Sequence, residues 1–74
     1  MRADGFSEGL AGVRINGKHG FIDKTGQIVI EPQFISASQF SNGLAAVADQ
    51  TGTGYIDKSG KIIFWDMIYP LIIN

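Results

Sequence analysis

From Leu10 to Ile15 the chain alternates. Ala11, Val13 and Ile15 fall on one side, Gly12 and Arg14 on the other. A period of two marks a half-buried strand, because successive side chains point to opposite faces. Asn16-Gly17 follows, and two residues that tolerate positive φ predict a tight type I′ hairpin. Lys18 to Asp23 is then the returning strand. Asp23-Lys24-Thr25-Gly26 reads as a second turn, with the Asp carboxylate accepting backbone N–H bonds and Gly26 in the left-handed region. Gln27-Ile28-Val29-Ile30 predicts a third strand. Glu31-Pro32 is expected to close it, since proline has no N–H to give to a ladder. Gln33 to Gln39 reads as a link, held down by Phe34 and Phe40.

The same pattern then returns. Leu44 to Asp49 predicts a strand, Gln50-Thr51-Gly52-Thr53 a loop, and Gly54 to Asp57 the return. Asp57-Lys58-Ser59-Gly60 predicts a turn, and Lys61 to Trp65 the last clear strand. Gly20-Phe21-Ile22-Asp23-Lys24-Thr25-Gly26 recurs as Gly54-Tyr55-Ile56-Asp57-Lys58-Ser59-Gly60. At the same offset, Phe6-Ser7-Glu8-Gly9-Leu10-Ala11 recurs as Phe40-Ser41-Asn42-Gly43-Leu44-Ala45. About half of the positions from Phe6 to Ile30 are kept in Phe40 to Phe64. Those kept are glycines, apolar residues and turn residues, the set that preserves a backbone and a core. The expected architecture is all-β, two tandem three-stranded antiparallel β-meander repeats in a single small domain. Repeat 1 covers about 6–39, repeat 2 about 40–66, and an atypical apolar tail 67–74.

That tail departs from the repeat. Trp65, Met67, Ile68, Tyr69, Leu71, Ile72 and Ile73 crowd large apolar side chains into the end of the chain. A capping repeat ordinarily turns a polar face outward. This one is expected either to fold back across the sheet or to form an interface with another chain, and exposed patches of this kind mark partner surfaces.

Composition narrows the chemistry. With 74 residues, a core is marginal without staples, tight packing or a partner. There is no cysteine and one histidine, which excludes disulfides, thiolate metal sites and imidazole-rich sites. A formal charge of −1 gives no field to attract nucleic acid or an anionic membrane. Ten glycines suit many tight turns between short strands. The N-terminal residues show no apolar stretch of a secretory leader, so a cytoplasmic location is the default expectation.

The residues that resemble catalytic motifs have simpler explanations. Asp23-Lys24-Thr25-Gly26 matches the phosphorylation loop of P-type ATPases, but that chemistry needs further carboxylates and a nucleotide site; turn chemistry explains both copies. Asp23 and Asp57 stand at equivalent positions because a repeat puts them there, and an acid–base pair would need a site driving their pKa values apart. The acids do not cluster as calcium requires. His19, beside a glycine at a hairpin, reads as a partly exposed strand residue. Gly52-Thr53-Gly54 has no following helix to hold a phosphate. Lys18, Lys24, Lys58 and Lys61 with Phe21 and Tyr55 could imitate a nucleic-acid face, but the acids offset them. Phe6/Phe40 and Phe21/Tyr55 read as core rather than as a ligand platform. No catalytic, cofactor-binding or metal residue is expected.

Phe-Ser-Glu-Gly-Leu-Ala-x-Val, followed by Asn-Gly-Lys-x-Gly-Phe-Ile-Asp-Lys-Thr-Gly-x-Ile-Val-Ile-x-Pro-x-Phe, resembles the bacterial WG (or KWG) repeat family. The resemblance runs from Phe6 to about Phe64. The family's Trp before Gly is replaced by His19 in one copy and Thr53 in the other. The resemblance implies a β-rich repeat that serves as an interaction or structural module, with no catalytic residue to carry over. The expectation is therefore a non-enzymatic module acting through sheet edges and the apolar tail, with a protein partner or itself as a homo-oligomer. A small-ligand or glycan-binding role for exposed aromatic side chains is the alternative.

Overall fold

The computed structural model describes residues 2–67. They form eight strands: β1 (Arg2–Ser7), β2 (Leu10–Ile15), β3 (Lys18–Asp23), β4 (Ile28–Phe34), β5 (Ser36–Ala37), β6 (Leu44–Asp49), β7 (Gly52–Asp57) and β8 (Ile62–Met67). Two four-stranded antiparallel sheets result, each a meander in chain order, β1-β2-β3-β4 and β5-β6-β7-β8. The all-β class and the paired meanders agree with the sequence. Each meander has one strand more than the three expected.

The sequence repeat is a repeat of register. Leu10 faces Asp23 and Val13 faces Gly20, just as Leu44 faces Asp57 and Val47 faces Gly54. The added first strand repeats as well: Arg2 pairs with Arg14 and Ser36 with Ala48. Alternation could not reveal β1 or β5. An outer strand is held by its neighbour's backbone, and neither Arg2-Ala3-Asp4-Gly5 nor Ser36-Ala37 carries an alternating apolar pattern. The link expected over Gln33–Gln39 therefore contains the end of β4 and all of β5.

Pro32 does not close the third strand of the first unit. β4 runs through it to Phe34. β4 is the outer strand of its sheet, where a missing donor is tolerated. The pairing also shifts there: Phe21 faces Ile30 and His19 faces Phe34, so β4 bulges over Gly20. A Cβ on Gly20 would overlap the Ile30 carbonyl oxygen and lie 2.7 Å from the Pro32 nitrogen. Gly54 is under the same constraint, because a Cβ there would overlap the Phe64 carbonyl oxygen and lie 2.6 Å from Trp65 Cε3. The glycine shared by both copies is a point of close backbone approach.

The hairpins follow turn chemistry. Asn16 (φ 53°) and Gly17 (φ 80°) both adopt the left-handed region, as a type I′ turn demands. Asn42 and Gly43 do the same at φ 54° and 81°, and Glu8 and Gly9 at 57° and 84°. In the second unit Gln50-Thr51 spans Asp49 and Gly52 without positive φ. Asp49 holds that turn by accepting bonds from Thr51 N and Thr51 Oγ1, both 2.7 Å.

The main core lies between the sheets. Leu10, Phe21, Ile30 and Phe34 of the first sheet pack against Phe40, Ala45, Val47 and Ile56 from the second unit. At its centre the Phe21 and Phe40 rings meet edge-on with centroids 4.8 Å apart, the arrangement that matches a ring's positive edge to its neighbour's negative face. The other face of the first sheet holds a smaller cluster of Ala11, Val13 and Ile22, with Ile15 against it. Both faces of the first sheet are thus apolar in places, not only the Ala11–Val13–Ile15 face that the alternation picks out.

Candidate interaction surface

Asp23, Asp49 and Asp57 are engaged in turns. Asp23 Oδ1 accepts from Thr25 N (2.8 Å), Thr25 Oγ1 and Gln27 N (3.2 Å). Asp57 Oδ1 accepts from Ser59 N (2.9 Å), Ser59 Oγ (2.6 Å) and Lys61 N (3.0 Å). The main chain closes each loop with Gly26 N to Asp23 O and Gly60 N to Asp57 O, and both glycines sit near φ 90°. This is the three-residue hairpin with a left-handed glycine. The Thr25 hydroxyl bond, foremost, holds the Asp23 carboxyl below the ordinary aspartate range. The Ser59 hydroxyl does the same for Asp57, and the Thr51 hydroxyl for Asp49. Hydrogen bonds to the ionised form lower a carboxyl pKa, so these three groups are turn acceptors.

His19 lies half-buried in β3, opposite Arg14 on one side and Phe34 on the other. Thr53, its counterpart, lies opposite Asp66 and is exposed. The matched aromatic residues divide in a way the sequence did not indicate. Phe21 and Phe40 are each 1% exposed, whereas Phe6 and Tyr55 are each 46% exposed. The expectation that all four belong to the core holds for one of each pair.

Apolar surface gathers on the second sheet. Ile62, Ile63, Phe64 and Met67 of β8 are all more than half exposed, and among the described residues β8 is the outer strand of its sheet. On one face of that sheet, Tyr55 and Phe64 stand side by side with ring centroids 6.5 Å apart. They border an open groove of about 460 Å³, also lined by Ala46, Ala48, Thr53 and Ser38. Among the tail residues singled out above, Trp65 is half-buried against the main core and Met67 is 65% exposed. Ile68, Tyr69, Leu71, Ile72 and Ile73 lie outside the described residues.

Polar contacts tie the two units together beside the core. The Ser7 hydroxyl donates to Phe40 O at 2.7 Å. The Glu8 carboxylate accepts from Asn42 N at 2.7 Å and Gly43 N at 2.9 Å. The signal in the sequence was the Glu8/Asn42 difference inside an otherwise matched Phe-Ser-x-Gly-Leu-Ala segment, but alone it does not say what the carboxylate reaches.

No curated protein and no solved structure matches this chain. The family model described as WG containing repeat matches residues 2–18 and 20–48. The matched residues take in all of the first sheet except His19, which stands where the resemblance expects the family's Trp, and continue into β6. With the glycine of close approach, the Asp-x-x-Gly turns and the repeated register all in place, the chain belongs to the WG containing repeat family.

Proposed function

We propose that this chain is a non-enzymatic interaction or structural module that works through its outer strand and apolar surface. The carrying observation is β8, an outer strand on which Ile62, Ile63, Phe64 and Met67 are all exposed. An outer strand offers unpaired N–H and C=O groups, and natural proteins usually blunt such edges with charge or proline. Between Ile62 and Met67 the one charge is Asp66. A strand of this kind suits addition of another strand or sheet, with the backbone giving affinity and the apolar side chains specificity. That the aspartates are engaged in turns supports a role without catalysis.

The test is light scattering of the full chain over a wide concentration range, with Phe64→Lys alongside. A mass that rises with concentration and is suppressed by the lysine is expected. A monomer at every concentration, with no loss of solubility, would overturn the reading.

The groove beside Tyr55 and Phe64 favours one alternative, a small-ligand or glycan site, since aromatic faces with nearby hydroxyls suit sugar rings. Titration with short neutral oligosaccharides, followed by amide shifts of residues 53–55 and 64, decides it. Saturable shifts confined to the groove would replace the module reading.

A further inference from the structure

The joint inside the molecule also describes its two ends. Leu10, Phe21 and Ile30 form the first-sheet side of that joint. Their counterparts in the second unit are Leu44, Tyr55 and Phe64, which are exposed. Phe40 and the Gly60 turn press on the first sheet from the other side; a Cβ on Gly60 would lie 3.3 Å from Ile30 Cγ1. Their counterparts in the first unit are Phe6, exposed, and Gly26, where a Cβ would meet nothing within 4 Å. Among the described residues, the second unit therefore carries a receiving face without its insert, and the first unit carries an insert without a receiving face.

We propose that the Leu44–Tyr55–Phe64 face receives the Phe6 edge of a second copy of this chain, head to tail. The Phe6 ring sets against Tyr55 as Phe40 sets against Phe21. This rests on the interaction-module reading and names the partner. The contact is heterologous, so it does not close on itself, and further copies add in a row. It is weaker than the internal joint for two reasons. Ala11, Val13 and Ile22 already have a cluster of their own, which leaves Phe6 and the Gly26 turn to carry the apolar contact. In addition, Asn42 stands where Glu8 stands in the internal joint, and an amide oxygen replaces the carboxylate that accepts two N–H bonds there.

The test is sedimentation velocity on the full chain, on Phe6→Arg, on Tyr55→Arg and on an equal mixture of the two variants. Both residues are half exposed, so neither change strips the core, and matching far-UV circular dichroism checks the fold. The wild type is expected to climb with concentration from the 8.0 kDa monomer past the dimer. Each variant alone stays monomeric. The mixture forms a dimer and stops, because Phe6→Arg keeps an intact receiving face and Tyr55→Arg keeps an intact Phe6. Asn42→Glu in the wild-type chain tightens association roughly tenfold, by restoring a charge-assisted pair of bonds.

Association that survives in either variant alone overturns the head-to-tail contact but leaves the module reading standing. A mixture of folded variants that stays monomeric, while the wild type associates, does the same. A wild type that is monomeric throughout overturns both.

Discussion

At the scale of single residues, the repeated glycine and the turn aspartates do most to set the backbone. Gly20 sits where β4 bulges across β3, so a methyl group there must push into backbone. Gly20→Ala is expected to cost roughly 1–3 kcal/mol, the range for overpacking a site that cannot give way; urea unfolding measures it as a lower midpoint with an unchanged slope. The aspartates make a pH prediction. Asp23, Asp49 and Asp57 all titrate below the ordinary value of 3.8 in the folded chain. A depressed folded pKa means that the unfolded chain binds protons first as pH falls. Their contribution is therefore whole above the ordinary aspartate range and is lost as pH drops through their folded values. Asp57→Asn should flatten the acid side of a melting-temperature profile as pH falls through and below the ordinary aspartate value of 3.8. An unchanged acid limb would show that the turn bonds contribute nothing. These turns were legible in the sequence because Asp-x-x-Gly is local chemistry.

At the scale of elements, the hairpins were legible and the outer strands were not. β2, β3, β6 and β7 lie inside their sheets and show alternation or turn signals. β1 and β5 are placed by main-chain pairing, which leaves no mark on side-chain order. The β1–β2 hairpin also carries a conflict between local and tertiary preference. Glu8 takes φ 57°, a region that costs a residue with a Cβ about 1–2 kcal/mol, and where Asn42 stands in the equivalent turn the strain is smaller. Its carboxylate bridges to the next unit. Glu8→Asn should relieve strain yet break the bridge, leaving stability nearly unchanged. Glu8→Ala keeps the strain and loses the bridge, and is expected to cost about 1 kcal/mol in urea unfolding. If both variants matched wild type, the bridge would carry no weight.

At the scale of the whole molecule, one joint supports the fold. A chain of this length has a total stability of roughly 4–11 kcal/mol. Phe40→Ala is expected to remove about 3–5 kcal/mol, a large share of that total. Phe6→Ala, the same change at the equivalent position, should alter stability by less than about 0.5 kcal/mol. Thermal melts of the two variants check this. Similar losses from both would mean that the Phe6 end is as well packed as the joint, and it would no longer be a free insert.

The sequence by itself determined the β class, the repeating unit, the tight turns and the family. Each of these is written in local patterns: period-two alternation, left-handed residues at hairpins, a carboxylate before Thr-Gly or Ser-Gly. The tertiary structure decided which copy of each repeated residue is buried. Phe6 and Phe40 share a residue type, a register and a neighbourhood in sequence, as Phe21 and Tyr55 nearly do. Only stacking of one sheet on the other removes Phe40 and Phe21 from water and leaves Phe6 and Tyr55 at the ends. Burial depends on what arrives from the neighbouring unit, and no local pattern records which copy of a repeated residue receives it.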